Sequence, residues 1–170
     1  MDEITLKRIA LAHPLIREKM KADYIAANKL LGKGARLRFA HVYRTNKEQD
    51  ALFNKRPKVT NAKGGQSIHN YGLAFDIVLL YDQDGNGTFE TASWNMVRDF
   101  DKDGKADFME VTKYFKSQGW EWGGDWKSFK DNPHFQLKKP NGTSYSWKEL
   151  KEKIDKGQTI VVDNILYPIL

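Results

Sequence analysis

The chain has 170 residues and no cysteine, and its basic residues exceed its acidic ones to give a formal net charge of +6. With 40% hydrophobic residues, it is long enough for one domain with its own core and too short for two. The lack of cysteine excludes disulfides and thiolate metal sites, so any metal would rely on histidine and oxygen ligands. The positive charge favours an anionic partner such as nucleic acid, an anionic membrane surface or bacterial cell wall.

The N-terminal segment has the pattern of packing helices. Residues 4–31 carry apolar side chains at helical spacing, and Gly32 and Gly34 follow them as a helix stop. The segment lacks the continuous apolar stretch and the small-residue cleavage site of a signal peptide. No part of the chain approaches the roughly 20 apolar residues of a membrane span. We therefore expect a protein made in the cytoplasm, without a signal peptide and without a membrane span.

Two strands and a helix are predicted before the middle of the chain. Residues 36–44 alternate and are rich in aromatic and branched side chains, which is typical of a strand. Thr45 is followed three positions later by Glu48, a capping-box pair that predicts a helix over 46–53. The apolar run at 73–80 predicts a second strand.

The second half of the chain is predicted to alternate loops with short elements. Residues 81–110 form an acidic, glycine-punctuated insertion, followed by a helix near 110–118. A short strand is expected at His134. The tail is predicted to contain a helix near 147–156 and a final apolar strand at 159–165.

One carboxylate, Asp76, interrupts the apolar run of the second strand. Burial of an unpaired charge is very costly, so such an acid needs protonation, an ion pair or a metal. His69 lies seven residues upstream and His134 far downstream, and two imidazoles with one carboxylate are a plausible zinc set. Three protein ligands leave a fourth position for water or substrate, as in catalytic zinc sites. The other histidines, His13 and His41, are expected to be structural or surface residues.

A hydrolytic zinc site also needs a proton acceptor and a fixed cation. Zinc lowers the pKa of a bound water, and a nearby carboxylate can take that proton and deliver it to the leaving amine. We expect Asp131 in this role, because Pro133 stiffens the turn that joins it to His134. Arg44, at the end of the first strand, is the candidate for stabilising the charge on the attacked carbonyl oxygen.

Several segments resemble the M15 metallopeptidases, the family of D-Ala-D-Ala carboxypeptidases, VanY and VanX. Residues 67–76 match the family signature SxHxxGxAxD. Residues 122–126 and 129–135 are similar to the L-alanyl-D-glutamate endopeptidase branch, which includes phage endolysins and Bacillus cell-wall lysins. Residues 43–45, together with Glu48 and Gln49, resemble the YRT..EQ segment of the family.

The resemblance implies a role for each matching position. It implies zinc on His69, Asp76 and His134, with Asp131 as the catalytic base and Arg44 at the substrate or the oxyanion. The substrate contacts expected from it are Ser67, Gln49 and Trp126. The dipeptidase branch has a glutamate as its base, so the aspartate at 131 favours the endopeptidase branch.

The implied fold is a small α+β domain over residues 1–170, with helices packed on an antiparallel sheet. The zinc cleft is expected on the sheet, as in hedgehog and D,D-peptidase domains. The acidic insertion at 81–110 would be an addition to that domain.

The insertion contains a second metal-binding pattern, because residues 99–110 satisfy the EF-hand calcium-loop template. The expected calcium ligands are Asp99, Asp101, Asp103, Lys105 through its backbone carbonyl, Asp107 and Glu110. Residues 82–93 begin in the same way but have Ser93 where the bidentate glutamate would stand, so we expect weak binding or none there. Both acidic runs are also compatible with ordinary turns and helix caps.

These patterns favour a zinc-dependent, monomeric peptidase that hydrolyses the stem peptide of bacterial peptidoglycan, at the bond between L-alanine and D-glutamate. It would act at the cell wall after release during phage or prophage lysis, or outside the cell. A D,D-carboxypeptidase with the same site and a non-catalytic, zinc-containing wall-binding domain are the alternatives. Nucleic acid is not expected as a partner, because the lysines are dispersed and do not interleave with aromatic residues.

Overall fold

Five α-helices and seven short strands make up the fold, and the computed structural model describes all residues from 1 to 170. The helices are α1 (Glu3–Ile9), α2 (Arg17–Asn28), α3 (Asn46–Phe53), α4 (Asp107–Ser117) and α5 (Trp147–Asp155). The strands are β1 (Ala35–His41), β2 (Ala74–Tyr81), β3 (Thr91–Ser93), β4 (Glu121–Trp122), β5 (His134–Gln136), β6 (Thr159–Val162) and β7 (Ile165–Pro168). Short 3₁₀ turns cover Pro14–Ile16, Ile68–Tyr71 and Gly123–Asp125.

The strands form one main sheet and one hairpin, and every pairing is antiparallel. The main sheet has the order β1-β2-β5-β4, with β3 paired to the C-terminal part of β2. β6 and β7 pair only with each other. Helices α1 and α2 pack on β1, and α4 packs on α2 and β4. The predicted α+β class is therefore confirmed.

An aromatic core lies between the main sheet and the helices. Phe39, Phe75 and Phe135 stack across β1, β2 and β5, with neighbouring ring centroids 4.2 Å and 5.3 Å apart. Phe115 from α4 and Trp120 meet this stack edge-on at Phe75. Side chains alternate along a strand, so the burial of Phe75 on this face directs the next residue to the opposite face.

A β-bulge interrupts the pairing of β1 with β2. Phe39 pairs with Ile77, but Asp76 pairs with His41, so Ala40 is an extra residue in β1. Strict alternation would turn His41 towards the core with Phe39. The bulge instead places it on the opposite face, where its side chain is 55% exposed.

Three predicted elements differ in the structure. Strand β1 ends at His41, three residues before the expected end at residue 44. The final strand predicted at 159–165 is the hairpin of β6 and β7, closed by Asp163 and Asn164 with φ of 52° and 62°. Two consecutive residues with positive φ are what a tight two-residue hairpin turn requires. Helix α4 begins at Asp107, three residues before the expected start.

None of the helices combines the length and the apolar character needed to cross a membrane, and the longest has 12 residues.

Replacement of Phe75 by alanine should lower the free energy of unfolding by about 3–5 kcal/mol, because it leaves a cavity at the centre of the aromatic stack. Urea unfolding measures this difference. Phe129→Ala is the matched control: Phe129 is 84% exposed, and its loss should change stability by no more than about 0.5 kcal/mol. Equal stabilities for the two variants would contradict the assigned core.

Candidate active site

A cleft of about 480 Å³ opens on the face of the sheet opposite the aromatic core. It brings together most of the site residues expected from the sequence. Those that line it are Arg44, Ser67, His69, Asp76, Trp126, Asp131 and His134. Residues far apart in the chain therefore share one cleft.

Three of these residues place one donor atom each at a common point. Asp76 Oδ1 lies 3.1 Å from His69 Nε2 and 3.1 Å from His134 Nδ1, and the two imidazole nitrogens are 3.2 Å apart. Both histidines are buried, and the side chain of Asp76 is 18% exposed. The three atoms form a small triangle at the floor of the cleft.

Local structure explains how the three residues converge. Asp76 and His134 are direct partners across β2 and β5. His69 lies in the 3₁₀ turn that Ser67 caps, and Gly72 then turns the chain into β2 with a φ of +69°. A Cβ at Gly72 would lie 2.5 Å from the backbone nitrogen of His13, so only glycine fits this approach.

Hydrogen bonds on the far side of each imidazole fix which nitrogen carries the proton. His69 Nδ1 lies 2.7 Å from the carbonyl oxygen of Val42, which can only accept, so Nδ1 donates. His134 Nε2 lies 2.9 Å from Gln136 Oε1, and the amide nitrogen of Gln136 donates to Glu121. When both rings are neutral, His69 Nε2 and His134 Nδ1 therefore direct lone pairs at the carboxylate of Asp76.

This donor set fits a divalent metal ion. Ligands of a tetrahedral zinc ion are separated by about 3.3 Å, close to the distances between these three atoms. Burial alone would raise the pKa of Asp76, but without a metal the imidazoles of His69, His134 and His41, in their protonated form, hold it well below its ordinary value. Burial lowers the pKa of His69. The group could hold a metal ion, and the open cleft leaves room for a further ligand.

Arg44 lies beside this group and is anchored from behind. Its Nη2 is 3.5 Å from Asp76 Oδ2, and its Nη1 donates to Gln49 Oε1 at 2.8 Å. Gln49 is fully buried and also donates to the carbonyl of Ala62. The structure thus corrects the expectation that Gln49 binds substrate, because this side chain lies behind Arg44 and has no surface in the cleft.

Asp131 is the second carboxylate of the cleft. Its backbone N–H donates to the carbonyl of Gly123 at 3.1 Å, and its own carbonyl accepts from the N–H of His134 at 3.1 Å, which closes the expected turn through Pro133. Desolvation in the cleft, followed by the charge of Asp76, raises the pKa of Asp131.

Trp126 and Ser67 form part of the cleft wall. The Trp126 ring lies 5.3 Å from the ring of His134, and its Nε1 donates to Glu121. Ser67 Oγ accepts from the backbone N–H of His69 at 3.4 Å. Both side chains can therefore contact a molecule that enters the cleft.

Two residues that support the site, His41 and Gln136, were not predicted from the sequence. His41, expected to be a structural or surface residue, lines the cleft with its Nδ1 3.5 Å from Asp76 Oδ2. Only the bulge places it there, and nothing in the sequence pattern indicates a bulge. Gln136 was detectable, because it lies two residues after His134 on the same face of a strand.

His13 is a buried structural residue, one of the two roles expected for it, with Nε2 2.8 Å from the carbonyl oxygen of Pro168.

The acidic insertion brings only part of the expected calcium set together. Carboxylate oxygens of Asp99, Asp101 and Asp107 lie within 4.8 Å of one another. Asp103 and Glu110 instead accept from Lys105 Nζ, at 3.1 Å and 2.9 Å.

Asp107 is the buried member of this acidic group, with 1% exposure. Its Oδ2 accepts from the hydroxyl of Tyr81 and from the backbone N–H of Phe100, and its Oδ1 has no hydrogen-bond partner. Burial raises the pKa of Asp107. In the upstream run, oxygens of Asp82, Asp84 and Glu90 form a comparable but more exposed group.

The chain is similar to known cell-wall peptidases. A family model of peptidase M15, described as D-alanyl-D-alanine carboxypeptidase, matches residues 60–137. The peptidoglycan L-alanyl-D-glutamate endopeptidase CwlK of Bacillus subtilis is 41% identical over 130 residues, which are 74% of this chain and 72% of that protein. The L-alanyl-D-glutamate peptidase of Listeria phage A118 is 36% identical over 116 residues, which are 66% of this chain and 35% of that protein.

A solved structure shares the fold. The crystal structure of the Serratia marcescens L-Ala D-Glu endopeptidase ChiX superposes with a TM-score of 0.51 at 20% identity, covering 79% of this chain and 86% of that one. The matched residues 60–137 include the converging His69, Asp76 and His134, together with Asp131. The chain therefore belongs to the M15 family of metallopeptidases.

Proposed function

We propose that the protein is a zinc-dependent peptidase that hydrolyses the bond between L-alanine and D-glutamate in the peptidoglycan stem peptide. The observation that carries this proposal is the convergence of three metal-binding atoms beside a second, separate carboxylate in one open cleft. A site that only held a metal would not need Asp131 next to it. The non-catalytic wall-binding alternative is disfavoured for that reason.

In this proposal, His69, Asp76 and His134 hold zinc. The zinc ion would supply Lewis acidity and lower the pKa of water. The outer hydrogen bonds of the two histidines keep the ring orientations fixed before zinc arrives, which reduces the cost of binding.

Asp131 is the proposed general base and acid. Its carboxylate takes a proton from the attacking water and passes it to the nitrogen of the leaving amine. Desolvation in the cleft raises its pKa in the metal-free chain, which is the direction that favours acceptance of a proton. Its position on a short turn fixed to Gly123 keeps the carboxylate beside the three proposed ligands.

Arg44 is the proposed cation for the charge that develops on the carbonyl oxygen. Its guanidinium is 12% exposed and held by Gln49, so little reorganisation is needed when the charge forms. Trp126 and Ser67 are the proposed contacts to the peptide on either side of the metal group.

The choice of bond rests on the relatives named L-alanyl-D-glutamate peptidases and on Asp131. The net charge of +6 suits an anionic cell-wall polymer, and we place the activity at the bacterial wall. All proposed site residues come from one chain, so a monomer would suffice. D,D-carboxypeptidase activity is the second candidate, because the family model carries that description.

Purified protein supplied with zinc should bind one equivalent, and Asp76→Ala should lose both the metal and the activity, because the triangle loses its only anion. Metal analysis after gel filtration measures the stoichiometry. Asp125→Ala is the matched control, since Asp125 forms only an exposed pair with Lys116. Zinc retained by Asp76→Ala at the wild-type level would contradict the proposed ligand set.

Digestion of peptidoglycan should create new N-terminal D-glutamate, which mass spectrometry and amine labelling of the products identify. Release of free D-alanine would instead establish the D,D-carboxypeptidase. The absence of any product from zinc-loaded protein would support a binding domain.

Asp131→Asn serves as the internal control of that digestion. It should keep zinc and lower the turnover number by about 10²–10⁴-fold, because the amide cannot accept the proton of the attacking water. Turnover within a few-fold of the wild type would assign the base to another residue.

We also propose that the acidic insertion binds calcium through Asp99, Asp101 and Asp107. The support is the buried Oδ1 of Asp107, which has no partner although an unsatisfied buried acceptor is costly. A cation there would also relieve the repulsion among the three carboxylates. Asp103 and Glu110 would join only after they release Lys105.

Calorimetric titration should detect calcium binding with a dissociation constant of about 0.1–1 mM, the range of weak extracellular calcium loops. The double variant Asp99→Asn with Asp101→Asn should abolish the heat change. The matched control, Asp82→Asn with Asp84→Asn, should leave it unchanged. If only the Asp82→Asn, Asp84→Asn variant lost calcium binding, the site would lie in the upstream run. If the wild type gave no heat of binding, the proposal would be wrong.

A further inference from the structure

We infer that His41 is a positioning residue for Asp76 and that it acts by holding the outer oxygen of this carboxylate. The inference rests on the proposed function, in which Asp76 is a zinc ligand. It assigns a role to a histidine outside the His69, Asp76 and His134 group. His41 forms no hydrogen bond with either imidazole of that group, and the carboxylate it pairs with is that of Asp76.

The two oxygens of Asp76 face different partners. Oδ1 faces the imidazoles of His69 and His134, at 3.1 Å each. Oδ2 faces His41 Nδ1 and Arg44 Nη2, at 3.5 Å each. With these two nitrogens beside Oδ2, rotation of the carboxylate would move it away from both, so the arrangement favours Asp76 offering only Oδ1 to the metal group. Nδ1–H can donate in a neutral ring or in an imidazolium, so the role does not require a particular charge on His41.

The β1 bulge is what makes this contact possible. If the same residues of β1 paired regularly after Phe39, the partner of Asp76 would be Ala40, and His41 would turn towards the core with Phe39. The bulge places two successive residues on one side of the strand. Bulges commonly redirect side chains next to active sites, and here the redirected side chain reaches a proposed metal ligand.

His41 and Arg44 are not equivalent supports. Arg44 is 12% exposed and is fixed by Gln49, whereas the side chain of His41 is 55% exposed. Removal of the imidazole therefore leaves no cavity in the core. It should leave the fold intact and affect only the orientation of Asp76.

Loss of a residue that orients a metal ligand typically weakens metal binding by about 10–100-fold. We therefore expect His41→Ala to bind zinc about 10–100-fold more weakly than the wild type, measured by competition with a chromogenic chelator. His41→Asn keeps an N–H donor close to the position of Nδ1 and should recover part of the affinity. Val59→Ala, a change elsewhere on the cleft wall, should bind zinc as the wild type does.

Kinetics at saturating zinc separate positioning from substrate contact. A positioning role predicts that His41→Ala lowers kcat and leaves KM unchanged. A raised KM together with unchanged zinc affinity would make His41 a substrate contact and overturn the inference.

Failure of the inference can be told apart from failure of the proposed function. Equal zinc affinities for His41→Ala and the wild type would overturn the positioning role alone. A wild-type chain that binds no zinc would overturn the metal site and, with it, the role of His41. Thermal unfolding of each variant checks that a change in affinity does not come from loss of the fold.

Discussion

The structure depends on the close approach of three electron-rich atoms that would repel one another without a cation. His69 Nε2, Asp76 Oδ1 and His134 Nδ1 lie within 3.2 Å of each other. When both rings are neutral and ionised Asp76 faces them, no hydrogen atom lies between these three atoms. The sheet enforces this approach through the pairing of Asp76 with His134. The stacked aromatic side chains behind the sheet set the positions of the strands, so the geometry of the site depends on the packing of the core.

The cleft also separates two carboxylates by their surroundings. Imidazoles hold the pKa of Asp76 well below the ordinary value, whereas desolvation and the neighbouring charge raise the pKa of Asp131. Divergent environments for two acids in one cleft typically mark different roles, one as a permanent anion and the other as a proton carrier. Arg44 pairs with Asp76, and its positive charge also acts on Asp131.

Local patterns in the sequence predicted what depends on neighbours along the chain. The capping box of Thr45 and Glu48 is present, and the strand around Asp76 lies within one residue of its expected place. Contacts that depend on how a loop folds were harder to predict. The burial of Gln49 depends on the loop at Ala62, and the pairing of Lys105 with Glu110 depends on how the insertion folds. Neither leaves a periodic signal.

The bulge in β1 supports the site in two ways, through the side chain of His41 and through the carbonyl of Val42 that fixes His69. In the present sequence, the position of His41 opposite Asp76 depends on the register shift at Ala40. If all residues of β1 continued in regular alternation after Phe39, Ala40 would face Asp76 and His41 would turn towards the core. A strand that lost Ala40 altogether would again pair His41 with Asp76, so in evolutionary terms this contact can persist through the loss of the bulge residue.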